Sequence, residues 1–256
     1  MTLYFIGLGL FDENDISLKG FEMVKRCQRA YLDGYTGVLS CGTETLEKLY
    51  GKEIILASRD LVENHAEETI INEAQDKDVA FLVVGDPMAA TTHLDLRMRA
   101  EGAGVKCVVV NSSSIVSAVG ITGLQLYKFG KITSIPFPEK EWKPETPYVV
   151  IKGNLKAGLH TLVLLDLRPA EHRFMTVNEA IAYLLDIEGM KREGIFTKET
   201  LCIGCARLGS LEPCIKAGSA GELLTQDFGG PVHCLVVPAT LHFAEEEALG
   251  MFSIHK

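Results

Sequence analysis

The chain has 256 residues, 47% hydrophobic and 23% charged, with a formal net charge of −9 at pH 7. That composition excludes a disordered polymer and provides for a sizeable core in one or two domains. The acidic balance, without any block of lysine or arginine, argues against a groove that tracks a nucleic-acid backbone, so a ligand must be recognised by local groups.

The first seven residues, Met1 to Gly7, are apolar, lack a basic leader and are too short to span a membrane, so they are expected to be the first strand of a cytoplasmic protein with no membrane partner. Strands are predicted at 3–8, 36–40, 79–84 and 106–110, with helices at 17–32, 66–75 and 92–101. In the first helix Leu18, Phe21, Val24, Cys27 and Tyr31 recur at spacings of three and four, while Lys19, Glu22, Lys25 and Arg29 take the other face. This alternation predicts a βαβ series around a mainly parallel sheet. A run of serines at 112–114, glycines at 120 and 123, and prolines at 136, 138, 144 and 147 mark a crossover. The expected organisation is an N-terminal α/β domain over 1–112 and a C-terminal α/β domain over 113–256. In the second domain, apolar runs at 148–151, 162–165, 201–206 and 232–237 are expected to form a mixed sheet, with a helix at 177–188. The seven cysteines are scattered, odd in number and mostly within apolar runs, which predicts reduced core thiols.

The most informative stretch is Gly85-Asp86-Pro87-Met88-Ala89-Ala90-Thr91-Thr92-His93, directly after an apolar strand. It places a carboxylate and a bare backbone at a strand's carboxyl end, where open α/β sheets bind ligands. Asp86 lies on no apolar face, so its truncation is expected to weaken a ligand and spare the fold. His93 is either an acid–base group or a capping and packing residue. Gly7-Leu8-Gly9 invites a dinucleotide fingerprint, but Asp12 stands where the third glycine belongs, and a tight turn is the simpler account. Cys202 and Cys205 resemble half a zinc site. Strand alternation, however, sends them to opposite faces and no second Cys-x-x-Cys follows, so no metal site is expected. No nucleophile elbow, catalytic triad or carboxylate pair marks a hydrolase, and no catalytic side chain is assigned.

Several segments together carry a family likeness: 3–10 followed by Asp15 to Gly20, the Gly-Asp-Pro turn with Ala90-Thr91-Thr92-His93, Ser114-Ile115 through Gly120-Ile121-Thr122-Gly123-Leu124-Gln125, and Val237-Pro238-Ala239-Thr240-Leu241-His242-Phe243 with 245–249. Over nearly its whole length the chain resembles the diphthine synthases, within the tetrapyrrole-methylase superfamily. The resemblance implies two α/β domains of the tetrapyrrole-methylase type, with S-adenosylmethionine in the cleft between them, and a homodimer. It implies methyl transfer to the amino group of a 3-carboxy-3-aminopropyl chain on a histidine of translation elongation factor 2. By position, the cofactor contacts would be Leu10, Asp86, Ala89, Ser114, Ile115, Leu165, Leu208 and His233. Ala89 stands where valine is usual, and Leu208 where a smaller residue is common. A sulfonium donor brings its own electrophile, which accords with a sequence showing no nucleophile–base constellation. The rival readings are a corrin or sirohaem methyltransferase, whose polyanionic substrate would favour an arginine-rich cleft absent from this sequence, and a non-catalytic ligand sensor.

Overall fold

The computed structural model describes residues 1–139 and 142–255. The chain divides into unit 1, Met1–Val116 with Arg168–His172, and unit 2, Ser117–Leu167 with Arg173–Lys256. The division falls four residues beyond the boundary expected after 112. It also returns residues 168–172 to unit 1.

Unit 1 runs β1 (Thr2–Gly7), α1 (Leu18–Arg26), β2 (Arg29–Asp33), α2 (Thr43–Tyr50), β3 (Ile55–Ala57) and α3 (Arg59–Asn64). A π-helical turn at 67–71 leads into α4 (Asn72–Asp76), followed by β4 (Val79–Val83), α5 (His93–Gly102) and β5 (Lys106–Val110). Its sheet has the order β3-β2-β4-β1-β5, every pair parallel. β4 is buried at all five positions, as a central strand covered on both faces requires, and so reads as an unbroken apolar run. Alternation sends Phe5 and Phe81 into one core and Ile6 and Leu82 into another on the opposite face.

Two expectations fail here. The helix predicted over 17–32 ends at Arg26, where Cys27 turns extended and Lys52 Nζ donates to the Val24 carbonyl at 2.5 Å. Beyond it, Tyr31 joins one core while Ala30 and Leu32 join the other, a strand's alternation that mimicked the helical spacing. The strand predicted at 36–40 is a loop, because Asp33 bends the chain at the end of β2 by accepting from the backbone N–H of Tyr35 (2.9 Å) and Thr36 (3.2 Å).

Unit 2 follows α6 (Ile115–Ala118), a single turn at the division. It contains β6 (Thr133–Ile135), α7 (Thr146–Lys156) and β7 (Thr161–Leu165), then a small ribbon of β8 (Leu167–Arg168), which straddles the division, and β9 (Arg173–Phe174), on either side of residues 169–172. It continues with α8 (Val177–Lys191), β10 (Leu201–Ala206), β11 (Cys214–Ser219), α9 (Ala220–Leu223), β12 (His233–Val237) and α10 (Phe243–Gly250). The sheet order is β11-β10-β12-β7-β6, with β6 and β7 parallel and the remaining pairs antiparallel, the mixed sheet expected. The apolar run at 148–151 belongs to a helix, not a strand. Pro147 sits in the first turn of α7, and Tyr148, Ile151 and Leu155 recur at helical spacing against a core shared with Ile181 and Leu184 of α8. α8 begins with a capping box between Thr176 and Glu179.

The C-terminal Leu241-His242-Phe243 block is anchored by Glu245, a fully buried carboxylate. It accepts from Lys128 Nζ (2.5 Å), the backbone N–H groups of His242 (2.8 Å) and Gln125 (2.9 Å), and His160 Nε2 (3.0 Å). Burial pushes this carboxyl up, but the donors outweigh it and hold it at about 2. His160 Nδ1 accepts from the Ala239 N–H at 3.0 Å, so its proton resides on Nε2. Among the described residues no helix is long and apolar enough to cross a membrane.

Candidate functional site

In unit 1, Leu10, Asp86 with Ala89, and Ser114 with Ile115 follow the carboxyl ends of β1, β4 and β5, three adjacent strands. The chain leaves β1 for β2 and leaves β4 for β5, so the two connections run in opposite directions from neighbouring strand ends. Ligands of open α/β sheets collect at such a place. The two loops are joined directly, since the Gly85 N–H donates to the Gly9 carbonyl at 2.6 Å. Gly7 is needed because a Cβ there would meet the Gly85 carbonyl and Ser112 Cβ at 2.6 Å. The Gly-Leu-Gly pair thus serves close approach of two strand-end loops. Gly85, at φ +81°, presents bare backbone with nothing nearer than 3.8 Å to the place a Cβ would take.

The Asp86 carboxylate is 8% exposed and largely engaged. Oδ1 accepts from the Met88 N–H at 2.9 Å, and Oδ2 from Asn111 Nδ2 at 3.0 Å and the Ser112 N–H at 3.1 Å. It therefore ties the turn after β4 to the chain leaving β5, contrary to the expectation that its truncation would spare the fold. A carboxylate has about four acceptor positions, and the three used here leave room for one ligand donor. The Leu10 N–H donates to Asp15 Oδ2 at 3.1 Å, as does that of Phe11 at 2.7 Å. Ser114 Oγ accepts from the Val116 N–H at 3.2 Å, fixing the turn that carries Ile115.

In unit 2, Leu165, Leu208 and His233 also come together. Cys234 pairs with Leu164 and His233 with Ala206, so the end of β7, the end of β10 and the start of β12 share one sheet edge. His233 Nδ1 accepts from the Val177 N–H at 3.3 Å, while Nε2 lies 3.1 and 3.0 Å from the Gly229 and Gly230 carbonyls. Burial pushes its imidazole below the ordinary value, and those carbonyls partly offset the shift. Arg207, left-handed at φ +54°, donates to the Phe228 (3.0 Å) and Gly230 (2.7 Å) carbonyls and braces the same loop.

Sequence reasoning did not find Asp15, Asp33, Asn111 or Arg207 as supports of these loops. Of the four, only Asp33 offered a signal, standing directly before Gly34 in a glycine-containing turn. His93 is wholly buried, which removes it from direct proton exchange with a ligand. Cys202 faces the main core of unit 2, while Cys205 lies on the other face beside Cys234. Hydrogen bonding to Cys234 and burial push the Cys205 thiol well up, and burial alone does so for Cys202, so both thiols are held protonated.

The family model for Tetrapyrrole (Corrin/Porphyrin) Methylases matches residues 2–223. The diphthine synthase of Methanocaldococcus jannaschii is 51% identical over 250 residues, covering 96% of this chain and 97% of that protein. A probable diphthine methyl ester synthase of Arabidopsis thaliana is 48% identical over 98% of each chain. Among solved structures, that of a putative diphthine synthase from Entamoeba histolytica superposes with a TM-score of 0.91 at 40% identity, covering 100% of this chain and 99% of that one. The chain belongs to the tetrapyrrole methylase family, in its diphthine synthase branch, and is a methyltransferase.

Proposed function

We propose that this methyltransferase uses S-adenosylmethionine to methylate the amino group of the 3-carboxy-3-aminopropyl-histidine intermediate on translation elongation factor 2. The observation that carries the reading is end-to-end similarity, near 50% identity, to diphthine synthases. Leu10, Asp86, Ala89, Ser114 and Ile115 of unit 1, with Leu165, Leu208 and His233 of unit 2, are the residues assigned to the cofactor. The donor set suits it: a carboxylate with one open acceptor position beside bare backbone meets a ligand that presents hydroxyl and ammonium donors. When bound, S-adenosylmethionine supplies a methyl on a sulfonium, an electrophile already activated. The chain's own task is to align the substrate amine, exclude water and favour the neutral amine by desolvation. We further assign the protein to the cytoplasm and to a homodimer.

Incubation with labelled cofactor and elongation factor carrying the unmethylated intermediate, read by intact mass, tests the proposal. Methyl incorporation is expected there, none into factor with unmodified histidine and none into corrin precursors. Mild alkali separates amine methylation, which survives, from a methyl ester, which is released. Because the net charge is −9 and docking rests on local complementarity, moderate salt should change the association rate modestly and leave turnover in place. Methylation of a corrin precursor with the modified factor untouched overturns the assignment.

A further inference from the structure

We propose that His93 is a positioning residue for the cofactor site, clamping the Gly85-Asp86-Pro87 turn to the end of β2 through Asp33. The proposal rests on the reading that this turn holds S-adenosylmethionine.

His93 and Asp33 are 0% and 1% exposed. Nδ1 of the ring lies 3.4 Å from the Pro87 carbonyl oxygen, and Nε2 lies 3.2 Å from Asp33 Oδ2. The second is a close polar contact and not a hydrogen bond. Edge-on contacts with Phe81 (5.1 Å between centroids) and Tyr35 (6.3 Å) fix the ring plane between those two acceptors. If the site asked only for volume, an aliphatic or phenyl side chain would fill it without the desolvation of two ring nitrogens and a carboxylate. What the histidine adds is a polar contact at each end, to the Pro87 carbonyl and to the Asp33 carboxylate.

Each end leads to a loop of the site. The Pro87 carbonyl also accepts from Thr91 Oγ1 at 2.9 Å, so Thr91 and His93 hold one oxygen of the Gly-Asp-Pro turn from two sides. Within the loop that these contacts close, Ala90 is held at φ +58°, a conformation that persists only where its surroundings fix it. At the other end, Asp33 organises the loop after β2, which reaches the loop carrying Leu10 through the Ser40 N–H and the Phe11 carbonyl at 2.7 Å. A single buried imidazole therefore connects the strand-end loops of β2 and β4, and through Ser40 that of β1. The Ala-Thr-Thr-His motif becomes intelligible as a clamp on the Pro87 carbonyl of the turn that precedes it.

The test uses the full chain in four forms: wild type, His93→Gly, His93→Gly with added imidazole, and Asp33→Asn. S-adenosylmethionine affinity is measured by calorimetry, and amide exchange over 85–92 is followed without ligand. His93→Gly should weaken cofactor binding by about tenfold or more and speed exchange over 85–92, with kcat at saturating cofactor within about twofold of wild type. Added imidazole should return the affinity to within about threefold, a rescue that general loss of packing would not show. Asp33→Asn keeps the volume and an acceptor oxygen for the loop, and should weaken binding by about three- to tenfold. Either variant, folded and binding cofactor within about twofold of wild type with unchanged exchange, overturns the proposal. If His93→Gly does not fold, Asp33→Asn decides. A wild-type protein that binds no S-adenosylmethionine refutes the cofactor reading instead, and the ligand-free exchange still judges the clamp.

Discussion

Truncating Asp86 to alanine should destabilise unit 1 as well as weaken the cofactor. The substitution removes three hydrogen bonds, from the Met88 and Ser112 backbone N–H groups and from Asn111 Nδ2, and leaves their donors without a protein acceptor. Hydrogen bonds to a charged group are worth roughly 1.5–3 kcal/mol each, but three that share one carboxylate are not additive. At 8% exposure water can reach part of the vacated space, which brings the expected cost to about 2–4 kcal/mol. Asp86→Asn keeps the shape and one oxygen but turns an amide N–H toward Asn111 and Ser112, and should cost about 1–2 kcal/mol. Urea unfolding followed by far-UV circular dichroism, with amide exchange resolved over 79–92 and 106–112, measures both. Trp142 is the chain's single tryptophan and lies in unit 2, so its fluorescence reports the other unit separately. An alanine variant within about 0.5 kcal/mol of wild type by exchange over those segments would refute the structural role.

Gly7→Ala should cost about 1–3 kcal/mol, because its Cβ would lie 2.6 Å from the Gly85 carbonyl. Gly153→Ala, within α7 with nothing inside 4 Å, should instead gain about 0.5–1 kcal/mol; the two thermal midpoints check the pair. Stability should fall in acid in two stages. His160 is pushed below its ordinary 6.5 chiefly by burial, so its neutral form favours folding and that contribution fades as pH drops below about 6.5. Glu245 is held at about 2 against an ordinary 4.5, so its contribution is complete above that value and is lost between them. Urea midpoints against pH should show both stages, and Glu245→Gln should flatten the second; an unchanged second stage contradicts the assignment. Finally, dialysis against a chelator should leave activity and melting temperature unaltered, since Cys202 and Cys205 occupy opposite faces of the sheet; zinc at one equivalent with stability lost on its removal would contradict this.

Alternation of apolar runs and amphipathic stretches was enough to read a parallel sheet followed by a mixed one, because β1, β4, β7, β10 and β12 are buried strongly enough to show as runs, and β5, although half-buried, is apolar after Lys106. The misreadings have local causes. At 27–32 a strand happened to place apolar residues at helical intervals, and at 148–151 four successive apolar residues hid a helix whose first-turn Pro147 was the available clue. The Gly-Asp-Pro turn announced itself through residue types that force a turn. The turns that Asp33 and Asp86 make with the N–H groups two residues on are local and legible. Their contacts across the sheet, Asp86 with Asn111 and Ser112 and Asp33 with His93, were not, because they depend on strand order, which the pattern of one sequence does not encode.

The strand order of unit 1 also governs how the protein is made. β1 occupies an inner place in its sheet, where Leu3 pairs with Val79 on one side and Cys107 on the other. Its apolar side chains, Leu3, Phe5 and Ile6, therefore have no edge to join until β4 has been synthesised 76 residues later, and only β5 closes the second side. Sheets assembled from such distant partners fold slowly, and their early strands are exposed to aggregation meanwhile. The nascent β1 segment is thus a site for chaperone capture, and a ribosome stalled before Val79 presents it unpaired.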